Sequence, residues 1–256
     1  LFFIVGFLLG RAVILSAVSP FAVAFLATVW FIHRGKSAKV MLAVVAGALT
    51  YSISHGVFVA LAMLVFPLLA GLFKNMKNQQ VSIPLFVFIS TVTPRLFLYS
   101  IADQLSSYEW MLLFVEGVFG TVLVLIFMQS IPLLAPKRYK PTLKNEEIVC
   151  MIILIASILT GTIGWEFYNA SMEQIFSRYF VLLLSFVGGA AIGSTVGVVA
   201  GLILSLANVA NLYQMSLLAF SGLLGGLLKE GKKVGVIVGL LVGTFLVGIY
   251  GSASTL

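Results

Sequence analysis

The 256 residues are 61% hydrophobic and 9% charged, with a net charge of +7 and a mean hydropathy of +1.16. Soluble domains carry about a quarter of their residues as charges and cannot hide this much apolar surface, so lipid is expected to cover the chain. The positive charge is gathered beside apolar runs, which fits anionic lipid headgroups and argues against nucleic acid, and the single Cys150 excludes an internal disulfide.

A spanning helix takes about 20 apolar residues. In chain order, the short apolar stretches 1–18, 20–32 and 38–52 come first. Runs of spanning length follow at 56–73, 81–101, 110–131 and 146–163, then 177–207, a shorter 212–228, and 234–250. The predicted fold class is all-α: a polytopic integral membrane bundle of about ten transmembrane helices, treated as one transmembrane domain over 1–256. Pro20 and Pro84 suit helix starts, where a missing N–H costs little. Pro94 lies inside a span, and Pro132, Pro136 and Pro141 bracket the longest basic loop. Glu146 and Glu147 follow at the start of a helix, where acidic groups favour the positive end of the dipole. Leu1 opens the chain within an apolar run, so the sequence is expected to be a segment of a longer protein.

Twelve of the fifteen Lys and Arg residues fall in four clusters: Arg34/Lys36/Lys39, Lys74/Lys77, Lys137/Arg138/Lys140/Lys144 and Lys229/Lys232/Lys233. The gaps at 101–109 and 164–176 instead carry Asp103, Glu109, Glu166 and Glu173. Translocating Lys and Arg is disfavoured, so the basic clusters are read as cytoplasmic and the acidic gaps as external. His55 is read as an interfacial loop residue between spans. From 164–176 outside to KEGKK at 229–233 inside, an odd number of crossings is needed. Yet 177–228 is short for three spans and long for one.

Small residues mark the packing faces. Ser185, Gly189, Gly193, Gly197, Gly201 and Ser205 recur every four residues, and Gly235, Gly239 and Gly243 repeat the spacing in the last span. Such ridges let helix backbones approach closely in lipid, within one chain or in a homo-oligomer. The first ridge predicts a single helix over 183–207, in conflict with a three-crossing path.

Charges inside a membrane default to functional hypotheses. Arg95 lies eight residues before Asp103 and Glu116 seven after Glu109. At about 1.5 Å per residue, both sit about 11–12 Å below one surface on helices joined by a hairpin, so an Arg95–Glu116 ion pair is predicted. Its readings are a helix-locking pair or a substrate or proton path. Arg178, close to a helix end, is expected to snorkel outward. Arg11 lies deeper, without an obvious partner. Catalytic signatures are absent: there is no phosphate-binding glycine loop, no nucleophile elbow and no metal set from His33, His55 and Cys150. No cofactor or metal is expected in this chain, and no enzyme activity.

The segments VGFLLGRAVILSAVSPFAVAFLA (5–27), VVAGALT (44–50), EEIVCMIILIASILTG (146–161), GGAAIGSTVGVVAGLILSLANVANLYQMS (188–216) and NLYQMSLLAFSGLLGGLLKEGKKVG (211–235) resemble the N-terminal membrane region of the stage II sporulation protein E family of endospore-forming bacteria. The resemblance runs through the whole chain, and the 211–235 block is its most specific part. It implies a following cytoplasmic segment that self-associates and contacts the division protein FtsZ. It also implies a C-terminal PP2C-type protein serine/threonine phosphatase, dependent on manganese or magnesium. That enzyme would act on a phosphorylated anti-anti-sigma factor and so lead to activation of the forespore sigma factor. No catalytic residue of that domain has a counterpart here. This chain would anchor and localise the phosphatase in the bacterial cell membrane at the asymmetric septum. The alternative is a transporter or solute-binding membrane protein.

Overall fold

A computed structural model describes residues 1–15, 18–72, 79–101, 106–134, 144–168, 170–207 and 212–253. The chain is helical nearly throughout: α1 Phe2–Arg11, α2 Pro20–Ile32, α3 Ser37–Tyr51, α4 Ile53–Leu72, α5 Gln79–Ile101, α6 Ser107–Leu134, α7 Asn145–Thr160, α8 Met172–Ala207, α9 Leu212–Leu227 and α10 Lys232–Ala253. Arg34–Lys36 and Leu228–Gly231 form 3-10 turns. A two-residue antiparallel ribbon, Glu166–Phe167 with Ala170–Ser171, leads into α8 and was not foreseen. Among the described residues, four helices are long and apolar enough to cross a membrane: α4, α5 over Ser82–Ile101, α6 and α8; α1, α2 and α3 are apolar but shorter.

Local chemistry sets several helix starts. Ser52 precedes α4, and its Oγ accepts the His55 N–H at 3.1 Å, as an N-cap does. Ser106 and Glu109 form a capping box at α6: Glu109 Oε2 accepts the Ser106 N–H at 3.2 Å, while Ser106 Oγ accepts the Tyr108 N–H at 3.3 Å. Glu147 likewise reaches back to the Lys144 N–H at 3.1 Å at the start of α7. Pro20 opens α2. Pro84 does not open a helix, because α5 begins at Gln79 and encloses both Pro84 and Pro94. Pro132 also lies within a helix, α6, rather than in the loop. Pro136, Pro141, Lys137, Arg138 and Lys140 fall outside the described residues, as do Lys74 and Lys77.

The chain divides into two compact units, 1–13 with 17–154, and 14–16 with 155–256. In the first, α2 is the core: every residue from Pro20 to Val29 is buried, as expected of a helix apolar on all sides. It packs on α6 and also on α1, α3, α4 and α5. α1 and α3 touch backbone to backbone, since a Cβ on Gly10 would overlap the Val44 carbonyl and one on Gly47 the Phe7 carbonyl. Outward faces remain apolar, with Leu68, Leu72, Leu85, Phe97 and Phe114 exposed. That pattern suits lipid rather than water.

In the second unit, the decisive residue is Gly189, at φ 75° and ψ −165°. Only glycine adopts this conformation readily. The chain reverses there: a Cβ on Gly193 would overlap Ser185 Oγ, whereas residues eight apart along a straight helix stand about 12 Å apart. α8 is therefore a hairpin of two arms, 172–188 and 190–207. The single helix predicted over 183–207 is overturned, and the four-residue spacing of small residues continues across a turn. α9 runs antiparallel to the second arm, with Gly226 against Ala190, Gly222 against Gly193, Leu218 against Gly197 and Met215 against Gly201. α10 then runs antiparallel to α9, with Gly235 against Leu228, Gly239 against Leu224 and Gly243 against Ser221.

Candidate functional site

The first unit holds a buried polar cluster. Glu116 on α6 is 1% exposed and Arg95 on α5 is 6% exposed. Arg95 Nε lies 2.7 Å from Glu116 Oε2, and Arg95 Nη2 donates to Glu116 Oε1 at 3.1 Å. The two-point contact uses the planar fork of the guanidinium. Glu116 Oε1 also accepts the Ser19 backbone N–H at 2.8 Å and stands 3.5 Å from Ser19 Oγ. Ser19 is the N-cap of α2, so the carboxylate meets one of the orphan N–H groups at the positive end of the core helix. Arg95 is held from its other sides, with its guanidinium carbon 4.2 Å from the centre of the Phe58 ring and Nη1 donating to Tyr99 Oη at 3.4 Å. The cluster thereby ties α2, α4, α5 and α6 together at one point.

Ser19 was the partner that sequence reasoning missed. The available signal was Ser19-Pro20: a serine before a proline marks a helix start, and a helix start wants an anion. Tyr99, one turn beyond Arg95, was also legible. Phe58 was not, because any ring on α4 would have matched.

Other singled-out residues take different places. His55 is not a loop residue: it is buried within α4, its Nε2 is 3.0 Å from the Gly10 carbonyl oxygen, and its ring meets Tyr51 edge-on at 5.6 Å. Arg11 donates from Nη1 to the Thr50 carbonyl at 3.3 Å and lies 3.4 Å from Thr50 Oγ1. Buried Cys150 contacts Gln129 Oε1 at 3.4 Å. Arg34 is exposed and lies over Trp30 at 5.3 Å, and Lys36 closes the 3-10 turn before exposed Lys39. Lys229 Nζ donates to the Val187 carbonyl at 2.8 Å, capping the first arm of α8 beside its turn, and exposed Lys232 and Lys233 open α10. Arg178 is exposed.

The glycines separate into two roles. Gly193, Gly197, Gly201, Gly235, Gly239 and Gly243 each meet α9 or the turn that follows it so closely that a Cβ would strike backbone. The two ridges do not face each other; α9 lies between them. Gly189 is not on that packing face, since a Cβ there would meet only Lys229 Cδ at 3.9 Å, and its role is conformational. No cluster of His, Cys, Asp or Glu suited to a metal occurs among the described residues.

Long apolar helices, lipid-suited outer faces, glycine-mediated packing and a buried ion pair define a helical membrane domain. The family profile described as "SpoIIE, N-terminal domain" matches residues 1–256, and the chain belongs to this family. It is 48% identical over 256 residues to the Stage II sporulation protein E of Bacillus subtilis (strain 168), covering 99% of this chain and 31% of that protein. A second Stage II sporulation protein E, from Priestia megaterium, is 71% identical over 59 residues, covering 23% of this chain and 10% of the relative. The chain thus spans less than a third of the length of the curated relatives it matches. No solved structure matches. The chain is accordingly the membrane region of a sporulation protein.

Proposed function

We propose that residues 1–256 form the membrane-anchoring and assembly domain of a sporulation-specific protein serine phosphatase, and hold it at the asymmetric septum. The supporting observation is the family match from the first residue to the last. In the whole protein, a PP2C-type domain using manganese or magnesium would act on a phosphorylated anti-anti-sigma factor and so activate the forespore sigma factor. FtsZ and a second copy of the protein would be its assembly partners. The cluster at Glu116 supports a scaffold rather than a path for protons or solutes, because its two charges face each other at 2.7 Å and are tied to Ser19 and Phe58 on other elements.

The hairpin at Gly189 also favours a multi-pass route. At about 1.5 Å per residue, the arms 172–188 and 190–207 and helix α9 reach about 25, 27 and 24 Å, against a hydrocarbon core of about 30 Å. Three short crossings bring the chain from an external 164–176 to a cytoplasmic Lys229–Lys233. With the helices of the first unit, this amounts to about ten spans in a multi-pass protein of the bacterial cell membrane.

The test is a fluorescent fusion of the full-length protein in sporulating cells, with residues 1–256 either intact or replaced by an unrelated multi-span anchor. The intact protein should collect at the septum and switch on a forespore reporter. The swapped protein should spread over the whole membrane, with a weaker reporter signal. Equal septal signal and equal reporter output from the two would refute the localising role.

A further inference from the structure

At the end of the second unit remote from the Gly189 turn, α8 and α9 line a half-open cavity of about 130 Å³. Glu173, Gln174, Ser177 and Arg178 line it from the first arm of α8, with Leu204 from the second arm. Tyr213, Gln214, Leu217 and Leu218 close it from α9. Charge placement had made Glu173 a surface marker of the external side. Instead it is 6% exposed, and its Oε2 is buried with no hydrogen-bond partner among the described residues. The neighbouring Ser177 hydroxyl donates to the Gln174 carbonyl on its own helix at 3.2 Å, so it offers the carboxylate no proton.

An ionised carboxylate is costly to bury without a donor. The cation nearest in sequence, Arg178, lines the same cavity but forms no ion pair with Glu173. The cavity thus presents one carboxylate oxygen without a donor, Glu173 Oε2, and, apart from it, the exposed cation of Arg178, with two side-chain amides and a phenol alongside. Leu204, Leu217 and Leu218 supply an apolar wall. A ligand complementary to this set carries an ammonium group for Glu173, a carboxylate for Arg178, and a small apolar body. A cavity of about 150 Å³ accommodates benzene, so the space suits a molecule of a few heavy atoms.

We propose that this cavity is a binding site for a small neutral α-amino acid, recognised at its ammonium end by Glu173 and at its carboxylate end by Arg178. The site follows the ribbon at 166–171, on the side that the charge pattern assigns to the exterior, so its occupant would come from outside the cytoplasm. The proposal stands apart from the septal role: a domain that fails to localise could still bind, and one that localises could fail to.

The test uses the full-length protein purified in detergent, titrated calorimetrically with L-alanine, glycine, methylammonium, propionate and sodium ions. L-alanine or glycine should bind saturably at up to millimolar concentration, and methylammonium, propionate and sodium at least about tenfold more weakly. Glu173→Gln and Arg178→Gln should each weaken amino-acid binding by about tenfold or more. Unliganded Glu173→Gln protein should unfold at the same or a higher denaturant midpoint, because an unmatched buried charge has gone. Absence of amino-acid binding, equal binding by methylammonium or sodium, or undiminished binding by the folded variants would overturn the proposal. Should Glu173→Gln fail to fold, exposed Arg178 alone decides it.

Discussion

The cluster at Glu116 makes a quantitative prediction in which the two partners are unequal. Glu116→Ala removes the charge that faces Arg95 Nε at 2.7 Å and the acceptor for Arg95 Nη2 and the Ser19 N–H together. Breaking a buried ion pair by deleting one partner costs about 3–5 kcal/mol. Orphaning the buried Ser19 N–H should add about 1–3 kcal/mol. Arg95→Ala is milder, because Glu116 keeps the Ser19 N–H and can take up a proton, which brings the loss toward the lower end of the first range. In Arg95→Ala/Glu116→Ala no lone charge remains, so the combined loss should fall short of the sum of the single losses by about 2 kcal/mol. The measurement is equilibrium unfolding of full-length protein in mixed micelles, for wild type and the three variants, followed by the helical circular dichroism signal. Additivity within about 0.5 kcal/mol, or a larger loss for Arg95→Ala than for Glu116→Ala, would refute the reasoning.

Two further perturbations probe the second unit and the orientation. Gly189→Ala meets only Lys229 Cδ, at an ordinary contact distance of 3.9 Å, yet should destabilise by about 1–3 kcal/mol in the same unfolding assay, because alanine is strained at φ 75°; Gly35→Ala, in open space, should change little, and equal behaviour of the two would argue against a turn at Gly189. In intact cells carrying Cys150→Ser, a cysteine placed at Tyr168, which is 93% exposed, should react with impermeant thiol reagents. Cysteines at Gly35 and Gly231, where a side chain meets nothing within 4 Å, should not react, and the reverse pattern would invert the orientation.

Composition and charge alone determined that this chain is helical and meant for lipid, because an apolar fraction of 61% leaves no soluble alternative. Helix starts at Pro20 and at Glu146–Glu147 were legible because a missing N–H and the helix dipole act within the first turn; the Ser106–Glu109 capping box is as local but lay in the stretch read as an external gap. The positions of Arg95 and Glu116 relative to a shared hairpin were readable from helical rise. Ser19-Pro20 marked a helix start that wants an anion but not which one, since Ser19 reaches Glu116 from ninety-seven positions away in sequence and only the packing of α2 brings it there. The glycine spacing identified close-packed faces but not which helix met them, because a ridge records that a backbone approaches and not whose it is. Gly189 fits the four-residue rhythm perfectly and yet breaks the helix. The spacing is the same whether the chain continues or folds back, and only the tertiary contacts of Ser185 with Gly193 distinguish the two. Glu173 carries the same lesson for charge: its position in an acidic gap suggested the surface, whereas α9, folded over the start of α8, removed it from water.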